Sequence, residues 1–101
     1  MKKIAIASDH GGYDLKVEII SFLKETGYDF KDFGCYEKKS VHYPDYAHKV
    51  GWAIAKKEYQ YGILICGTGI GMSIAANKIK GIRASLCHDT FSARMTREHN
   101  D

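Results

Sequence analysis

The sequence predicts an α/β fold with a parallel sheet, because short apolar runs alternate with longer amphipathic stretches along its 101 residues. Four apolar runs, at 3–8, 28–34, 61–66 and 81–89, are each followed by a stretch with helical spacing. The chain has a formal charge of +3, with 27% charged and 45% hydrophobic residues. This composition is typical of one globular domain, which we take as residues 1–101.

The first unit is a strand followed by a helix. "KIAIAS" at 3–8 predicts a buried strand, since its residues are small or β-branched and it stops at "DHGG". The next helix covers 13–26 and ends at Gly27, because glycine readily adopts the left-handed backbone that terminates helices. The apolar residues on the predicted inward face of this helix are Leu15, Ile19 and Phe22.

Two further units follow the same pattern. "YDFKDFG" at 28–34 predicts a second strand, and Pro44 begins the next helix because proline suits the first helical turn. "YGILIC" at 61–66 predicts a third strand, and the glycines after it begin a third helix. The inward-facing residues predicted for these two helices are Ala47, Val50, Ile54, Ile74, Ala75 and Ile79.

The last unit is predicted as a fourth strand, "GIRASLCHD" at 81–89, and a fourth helix, "TFSARMTREHN" at 90–100. In a parallel sheet the carboxyl ends of the strands lie at one edge, where ligands bind. Those ends carry "SDHGG", "CGTGIG" and "CHD". The polar residues that could perform chemistry are therefore expected to converge on one edge of the sheet.

The basic residues are scattered along the chain. Lysine pairs occur at 2–3, 38–39 and 56–57, but no run is long enough for a nucleic-acid footprint. No apolar stretch has the length of a signal peptide or of a membrane span. We therefore expect a cytoplasmic protein without a nucleic-acid or membrane partner, whose mild positive charge suits a small phosphorylated substrate.

The three cysteines, Cys35, Cys66 and Cys87, are far apart and form no C-x-x-C pair. This spacing argues against a disulfide framework and against a zinc site, so no metal is expected. Cys66 differs from the other two because it directly precedes "GTGIG". Cys35 and Cys87 have no glycine-rich neighbour and are interpreted as small apolar residues.

The "CGTGIGMS" loop offers backbone amides at a helix N-terminus, where the helix dipole favours an anion. A dinucleotide fingerprint needs glycine at position 72 and a thiol phosphatase loop needs arginine there, but the residue is Met72, and the P-loop pattern is absent. What remains is an anion hole with a thiol at its edge. Cys66 is then either a nucleophile or general base, or a small apolar residue that ends a buried strand.

Several other polar residues are candidates for the same site. Asp9 and His10 follow the first strand, where a carboxylate suits a sugar hydroxyl and an imidazole suits a phosphate, although aspartate is also common in turns. Tyr43, at a helix start, either stacks on a sugar ring or covers the core. His99 and Asn100 lie close to the end of the sequence, and spacing alone assigns them no role.

Four segments, "SDHGG", "HYPDYA", "GILICGTGIGMSIAANKIKGIRA" and "REHND", cover most of the chemistry-bearing positions in the chain. In their order and spacing they resemble the ribose-5-phosphate isomerase B family, and the resemblance extends over essentially the whole chain. It implies a three-layer, Rossmann-like α/β sandwich with a parallel sheet. It also implies an aldose–ketose isomerase that works through an enediolate without a metal or a cofactor.

The resemblance further implies roles for positions that match the family's motifs. Cys66 is implied as the base that moves a proton between the first two sugar carbons, and His99 as the acid and base that opens the furanose ring. Tyr43 would line the ring-opening side, Asp9 would bind a sugar oxygen, and His10 would bind the phosphate. The residues implied to lie around the reacting oxygens are the catalytic Thr68 together with Gly67, Gly69, Ile70, Gly71, Ser73 and Asn100.

Members of this family continue past the position of Asp101, with a strand and helices that supply phosphate-binding arginines and much of a dimer interface. The resemblance therefore implies that 1–101 is a C-terminally truncated domain of a homodimer or tetramer with shared active sites. The missing strand is expected to leave a sheet edge exposed. Arg83, Arg94 and Arg97 do not match the family's arginine positions.

Three classes of function follow from these patterns. The first is an isomerase, with ribose 5-phosphate as the leading substrate and allose 6-phosphate or galactose 6-phosphate still open, because spacing does not measure sugar length. The second is a non-catalytic phosphate- or nucleotide-binding module, which predicts binding that is unaffected when Cys66 is replaced. The third, thiol phosphatase or redox chemistry, is disfavoured by Met72 and by the absence of a neighbouring second cysteine.

Overall fold

A computed structural model of the chain describes residues 2–37 and 41–101, so the lysine pair at 38–39 lies outside the described residues. These residues form three strands and four α-helices, with a short 3-10 turn at His10–Gly12. In chain order the elements are β1 (Lys3–Ser8), α1 (Tyr13–Thr26), β2 (Asp29–Asp32), α2 (Tyr43–Ala55), β3 (Tyr61–Ile65), α3 (Ile70–Asn77) and α4 (Thr90–Asn100). The predicted bounds of β1, α1 and α4 are confirmed. Among the described helices none has the length and apolarity to cross a membrane.

The sheet is parallel and has the order β2-β1-β3, with β1 at its centre. Ile6 of β1 is paired with Asp32 of β2 on one side and with Ile63 of β3 on the other. Residues 4–8 are all buried. A central strand covered on both faces has no solvent-facing side, which explains the continuous apolar run of "KIAIAS". The predicted α/β class is confirmed.

Helices cover both faces of the sheet. Ala5 and Ala7 of β1 pack with Val50 of α2 in one apolar cluster, and Ala47 of α2 packs with Met72 of α3 in a second. Because β2 and β3 lie on opposite sides of β1, right-handed connections place α1 on the face opposite to α2, and α3 packs against α2. The described residues therefore form the three layers of a Rossmann-like sandwich.

The inward face of α1 differs from the prediction. Leu15 and Phe22 are 51% and 57% exposed, and Ile19 is half-buried. The buried side chains of α1 are instead those of Lys16 and Leu23. Hydropathy assigns a lysine to solvent, but Lys16 is paired with a carboxylate of β2, and this ion pair allows a charged residue to face the sheet.

The inward faces predicted for α2 and α3 are largely correct. The confirmed residues are Ala47, Val50 and Ala75, whereas Ile79 is buried but lies beyond the end of α3 at Asn77. Ile54 is half-buried, whereas Ile74 is 55% exposed and its prediction is wrong. The stripe of α3 that packs against α2 passes through Met72 and Ala75, and Ile74 lies beside that stripe rather than on it.

The fourth strand predicted at 81–89 is wrong, since no strand is formed there in the described part of the chain. The segment still alternates like a strand, because Ile82, Ala84 and Leu86 are half-buried between exposed neighbours. However, the N–H and C=O groups of Ala84 are both bonded to the side-chain amide of Asn77, each at 2.8 Å. A side chain thus satisfies the backbone groups that a neighbouring strand would have paired.

β3 is consequently an edge strand of the described sheet. A cleft of about 860 Å³ lies between this edge and residues 81–101. Apolar side chains from both helical layers reach the cleft, including Leu15 and Ile19 of α1 and Ile54 of α2. The loop after β3 lines the same cleft. The cleft therefore extends from the exposed edge of β3 to the candidate site.

Candidate active site

The loops that follow β1 and β3 lie side by side at the carboxyl edge of the sheet. Ser8 is paired with Ile65, and the Asp9 N–H donates to the Ile65 carbonyl at 3.1 Å. A Cβ atom added to Gly12 would lie 2.6 Å from the Ile65 oxygen, so only glycine fits there. The predicted convergence of "SDHGG" and "CGTGIG" at one edge is confirmed.

The Cys66 sulfur lies at the N-terminus of α3, within the glycine loop. The Gly69 N–H donates to Cys66 Sγ at 3.0 Å, and the Ile70 N–H donates to Thr68 Oγ1 at 3.1 Å. Gly69 has φ +81°, and a Cβ there would lie 2.5 Å from a Leu86 methyl group. The loop therefore needs glycine at 69 both for its left-handed backbone and for the close packing of Leu86.

This arrangement makes the edge of the sheet suitable for proton transfer. An N–H donor directed at sulfur stabilises negative charge on that sulfur, and the dipole of α3 acts in the same sense. Gly67 and Thr68 are exposed, and apart from the adjoining residues no atom of the described chain lies within 4 Å of the position a Cβ on Gly67 would take. A ligand can therefore approach the loop directly, with Cys66 half-buried beneath it.

Asp9 and His10 face this loop from the turn after β1. Asp9 Oδ1 accepts the Gly12 N–H at 3.0 Å, so the half-buried carboxylate is held by its own turn. His10 is exposed, and its Nδ1 accepts the Val41 N–H at 3.4 Å. That bond assigns the proton of the neutral ring to Nε2, which leaves an N–H donor for a ligand. Gly11 brings this turn against the Gly67 amide.

Tyr43 packs against α3, and Ser73 lies in its first turns. A Cβ on Gly71 would be 2.7 Å from two atoms of the Tyr43 ring, so the ring rests directly on the first turn of α3. Tyr43 is 39% exposed and also stacks on His42. Ser73 is half-buried and lines the cleft together with Cys66. The structure thus brings both predicted residues to the glycine loop.

His99 and Asn100 lie elsewhere, in the last turn of α4. The Arg97 guanidinium is 4.8 Å from the Tyr61 ring, which fixes this turn beside the first residue of β3. Cys66 follows the other end of β3, and the strand spans about 13 Å at 3.3 Å per residue. His99 is exposed, and the Asn100 carbonyl accepts a bond from Arg83. One copy of the chain therefore does not bring His99 to Cys66.

Two titratable groups, one at the start of α4 and one beside β3, have shifted pKa values. The Ser92 N–H donates to Asp89 Oδ1 at 2.7 Å, and this capping bond lowers the pKa of Asp89 below its ordinary value. At the start of β3, Lys2 Nζ donates to the Tyr61 hydroxyl at 2.8 Å, and this bond raises the pKa of Lys2. Among the described side chains, no group of three or more His, Cys, Asp or Glu residues is placed to hold a metal ion.

Sequence reasoning missed the ion pair between Lys16 and Asp32, which is linked through Cys35 to Ser8 at the end of β1. No pattern in the sequence indicates it, because lysine and aspartate at these positions also suit an exposed helix and an exposed strand. It missed the contact of Leu86 with the glycine loop as well, although "CHD" at the end of that segment was expected at this edge.

A family model described as Ribose/Galactose Isomerase matches residues 4–101. The chain belongs to this family. Ribose-5-phosphate isomerase B of Escherichia coli (strain K12) is 50% identical over 101 residues, which cover 100% of this chain and 68% of that protein. The solved structure of ribose-5-phosphate isomerase B from Clostridium thermocellum is similar with a TM-score of 0.95 at 57% identity, over 97% of this chain and 66% of that one.

A relative with a different substrate in its name is also similar. D-erythrulose-4-phosphate isomerase of Pectobacterium atrosepticum is 45% identical over 103 residues, covering 100% of this chain and 67% of that protein. The chain thus spans about two thirds of the length of these relatives. The family predicted from the sequence is confirmed, and relatives at comparable identity act on sugar phosphates of different length.

Proposed function

We propose that this chain is a sugar-phosphate isomerase domain that interconverts ribose 5-phosphate and ribulose 5-phosphate through an enediolate. The observation that carries the proposal is the Cys66 sulfur, which accepts the Gly69 N–H at 3.0 Å at the start of α3. Membership of the ribose/galactose isomerase family supports the reaction class. One base and a set of oxyanion donors suffice for this reaction, so the proposal includes no metal and no cofactor.

In the proposed mechanism the open-chain aldose presents its C2–H bond to the Cys66 thiolate. The thiolate removes the C2 proton, the electron pair forms a C1–C2 double bond, and negative charge develops on O1. A proton then passes from O2 to O1. As the C2–O2 double bond of the ketone forms, the electron pair of the C1–C2 double bond takes the proton of the Cys66 thiol at C1, which regenerates the thiolate. Atoms and electrons balance, and the net change is from aldose to ketose.

The loop amides divide into two groups in this mechanism. The N–H groups of Gly69 and Ile70 are bonded to Cys66 and Thr68, so they hold the base and the hydroxyl. The amides of Gly67, Thr68 and Gly71 then serve the enediolate oxygens, with the Thr68 and Ser73 hydroxyls beside them. Removing one such donor costs about 10²–10³ in kcat in other enzymes.

The turn after β1 serves the remainder of the substrate. The Nε2–H group of His10 is an exposed donor that suits a phosphate oxygen, and the Asp9 carboxylate suits a sugar hydroxyl. Tyr43 covers the first turn of α3 and would face the sugar ring. These roles follow the family resemblance, and they agree with the position of both segments at one sheet edge.

The ring-opening histidine is proposed to come from a second copy of the chain. In one copy, His99 and Asn100 lie near the start of β3, whereas Cys66 follows its end. This separation favours a homodimer or a tetramer with shared sites. α4 buries none of its residues, so its faces are available for such a contact. The same geometry favours one alternative: a single copy, without His99 at the base, would act as a phosphate-binding module.

The experiment is proton NMR of ribose 5-phosphate in deuterated buffer with this chain, with Cys66→Ala and with Cys87→Ala. Cys87 is the matched control, because it is an exposed cysteine. Formation of the ketose with solvent deuterium in the sugar is expected for the chain and for Cys87→Ala, and a loss of about 10²–10⁴-fold is expected for Cys66→Ala. Parallel samples with tetrose and hexose phosphates identify the preferred substrate.

Equal exchange by Cys66→Ala and by the unchanged chain would contradict the assignment of the base. Binding of ribose 5-phosphate without conversion, unaffected by Cys66→Ala, would favour the binding module. Conversion of only a six-carbon phosphate such as allose 6-phosphate or galactose 6-phosphate, or of only a four-carbon phosphate, would retain the isomerase and change its substrate.

A further inference from the structure

Lys16 is a buried charge that neither the core nor the proposed catalytic steps use. Its side chain is 1% exposed and lies in the first turn of α1. Nζ donates to both carboxylate oxygens of Asp32, at 2.8 and 2.9 Å, and to the backbone carbonyl of Cys35. The rings of Tyr13 and Tyr36 lie 5.5 and 5.4 Å from the ammonium. Three acceptors thus match the three donors of the ammonium group.

Stability alone does not account for this ion pair. Taking two charges out of water is costly, and an apolar pair of similar volume often serves a fold equally well or better. The same helix has Leu15 and Phe22 on its exposed side, so apolar side chains were available to face the sheet. An apolar pair, however, could not donate a hydrogen bond to the Cys35 carbonyl, as Lys16 does.

The ion pair fixes the segment after β2 against the end of β1. Asp32 Oδ1 also accepts the Gly34 N–H at 2.8 Å. The Gly34 carbonyl accepts the Ser8 N–H at 2.7 Å, and the Ser8 carbonyl accepts the Cys35 N–H at 2.9 Å. Ser8 is fully buried, and the next residue is Asp9. Both backbone groups of Ser8 are therefore held by the segment that Lys16 anchors.

The other side of this turn is bound to the strand that carries the proposed base. The Asp9 N–H donates to the Ile65 carbonyl at 3.1 Å, and Ile65 directly precedes Cys66. Residues 9–12, called the β1 turn below, are consequently held between two segments. One is the segment after β2, which Lys16 anchors, and the other is β3, which Cys66 directly follows.

We propose that Lys16 is a positioning residue that sets the β1 turn relative to Cys66. It acts through Gly34, Cys35 and Ser8 and does not touch the substrate. The inference rests on the proposed function, in which Asp9 and His10 bind a sugar oxygen and the phosphate. Loss of Lys16 is therefore expected to weaken substrate binding, while the alkylation rate of the Cys66 thiol and kcat change little.

The test uses three variants of the chain. Lys16→Met removes the ammonium, and the double variant Lys16→Met with Asp32→Asn removes both charges while it keeps an oxygen to accept the Gly34 N–H. Lys24→Met is the matched control, because Lys24 is an exposed lysine on the same helix. KM for ribose 5-phosphate is expected to rise about 10- to 100-fold in both Lys16 variants, as for a misplaced binding group. Thermal stability is expected to recover in the double variant, since no unpaired charge remains buried.

A second readout does not depend on turnover. The ¹⁵N shifts of the His10 ring report whether Nδ1 accepts the Val41 N–H, as it does in the structure. This signature is expected to change in both Lys16 variants and to persist in Lys24→Met. If the unchanged chain converts no sugar phosphate, the proposed function fails, and the His10 spectrum still decides the role of Lys16.

A merely structural role predicts another pattern. Lys16→Met would then lower stability, and the double variant would regain stability, KM and the His10 spectrum together. That result would overturn the proposal. A rise in KM and an altered His10 spectrum in a double variant as stable as the unchanged chain would support it.

Discussion

Residues 2–37 with 41–79, called the core region here, and residues 81–101, called the terminal region, are held in different ways. In the core region α2 buries Ala47, Val50, Gly51 and Ala53. In the terminal region α4 buries none of its residues. Apolar packing therefore stabilises the core region, where each fully buried aliphatic side chain contributes about 1.5–3 kcal/mol.

The terminal region packs through half-buried side chains such as Leu86 and is held largely by polar contacts. The Asn77 side chain binds the backbone of Ala84, and the Ser85 and Thr96 hydroxyls are 2.7 Å apart. At the far end, Arg97 lies over Tyr61 of β3. Exposed contacts of this kind each contribute about 0.5–1.5 kcal/mol. The terminal region is expected to open locally before the core region unfolds.

The proposed site is divided along the same boundary. The base and the anion-binding amides belong to the core region, whereas His99 belongs to the terminal region. In the proposed mechanism, the core region of one copy therefore forms the enediolate site, and ring opening depends on the terminal region of another copy.

The largest predicted effect compares two methionines, one in each region. Met72 is 1% exposed, and Met72→Ala is expected to lower the free energy of unfolding by about 2–5 kcal/mol through the cavity it leaves. Met95 in α4 is half-buried, and Met95→Ala is expected to cost below about 1 kcal/mol. Urea unfolding of both variants measures the difference. Equal losses would show that the terminal region packs as tightly as the core region.

A smaller effect is predicted for the contact that joins the regions. Asn77→Ala removes both bonds to Ala84, and hydrogen exchange of the Ala84 amide is expected to accelerate about tenfold. Asn77→Asp is the matched control, since it retains the oxygen that accepts the Ala84 N–H. The amides of β1 are expected to keep their protection in both variants. Loss of protection throughout the sheet would contradict the division into two regions.

The smallest effect concerns the cap of α4. Because the Ser92 N–H lowers the pKa of Asp89, the ionised carboxylate stabilises α4 above the unfolded pKa, and this contribution is lost as pH falls through the lower, folded pKa. Amide spectra of Ser92 and Ala93 are therefore expected to show an acid transition of α4. Asp89→Asn retains a capping oxygen at every pH, so an unchanged transition in that variant would contradict the assignment.

Sequence patterns predict the strands and helices of the core region more accurately than the structure of the terminal region. The bounds of β1 and α1 follow from a continuous apolar run and from Gly27, both of which are local signals. The fourth strand could not be judged from its own residues, because "GIRASLCHD" has the alternation of a strand whether or not β3 pairs with it. In the structure the backbone of Ala84 is paired by the Asn77 side chain, four residues before the segment begins.

The candidate site shows the same limit. The positions of Cys66, Asp9 and Tyr43 at one edge follow from where their strands and helices begin and end. The burial of Lys16 could not be predicted, because it depends on Asp32, a residue sixteen positions away. The distance of His99 from Cys66 also depends on the direction in which α4 crosses the molecule, and no local pattern in "REHND" reports that direction.

The most direct test of the divided site mixes two inactive variants, Cys66→Ala and His99→Ala. Each variant alone is expected to lose about 10²-fold or more of the isomerase activity. After unfolding and refolding together, about half of the dimers contain both variants, and each such dimer has one intact site of two, so about a quarter of the original activity is expected. No recovery, in a mixture whose mixed dimers are verified by mass spectrometry, would contradict the claim that Cys66 and His99 of different copies form one site.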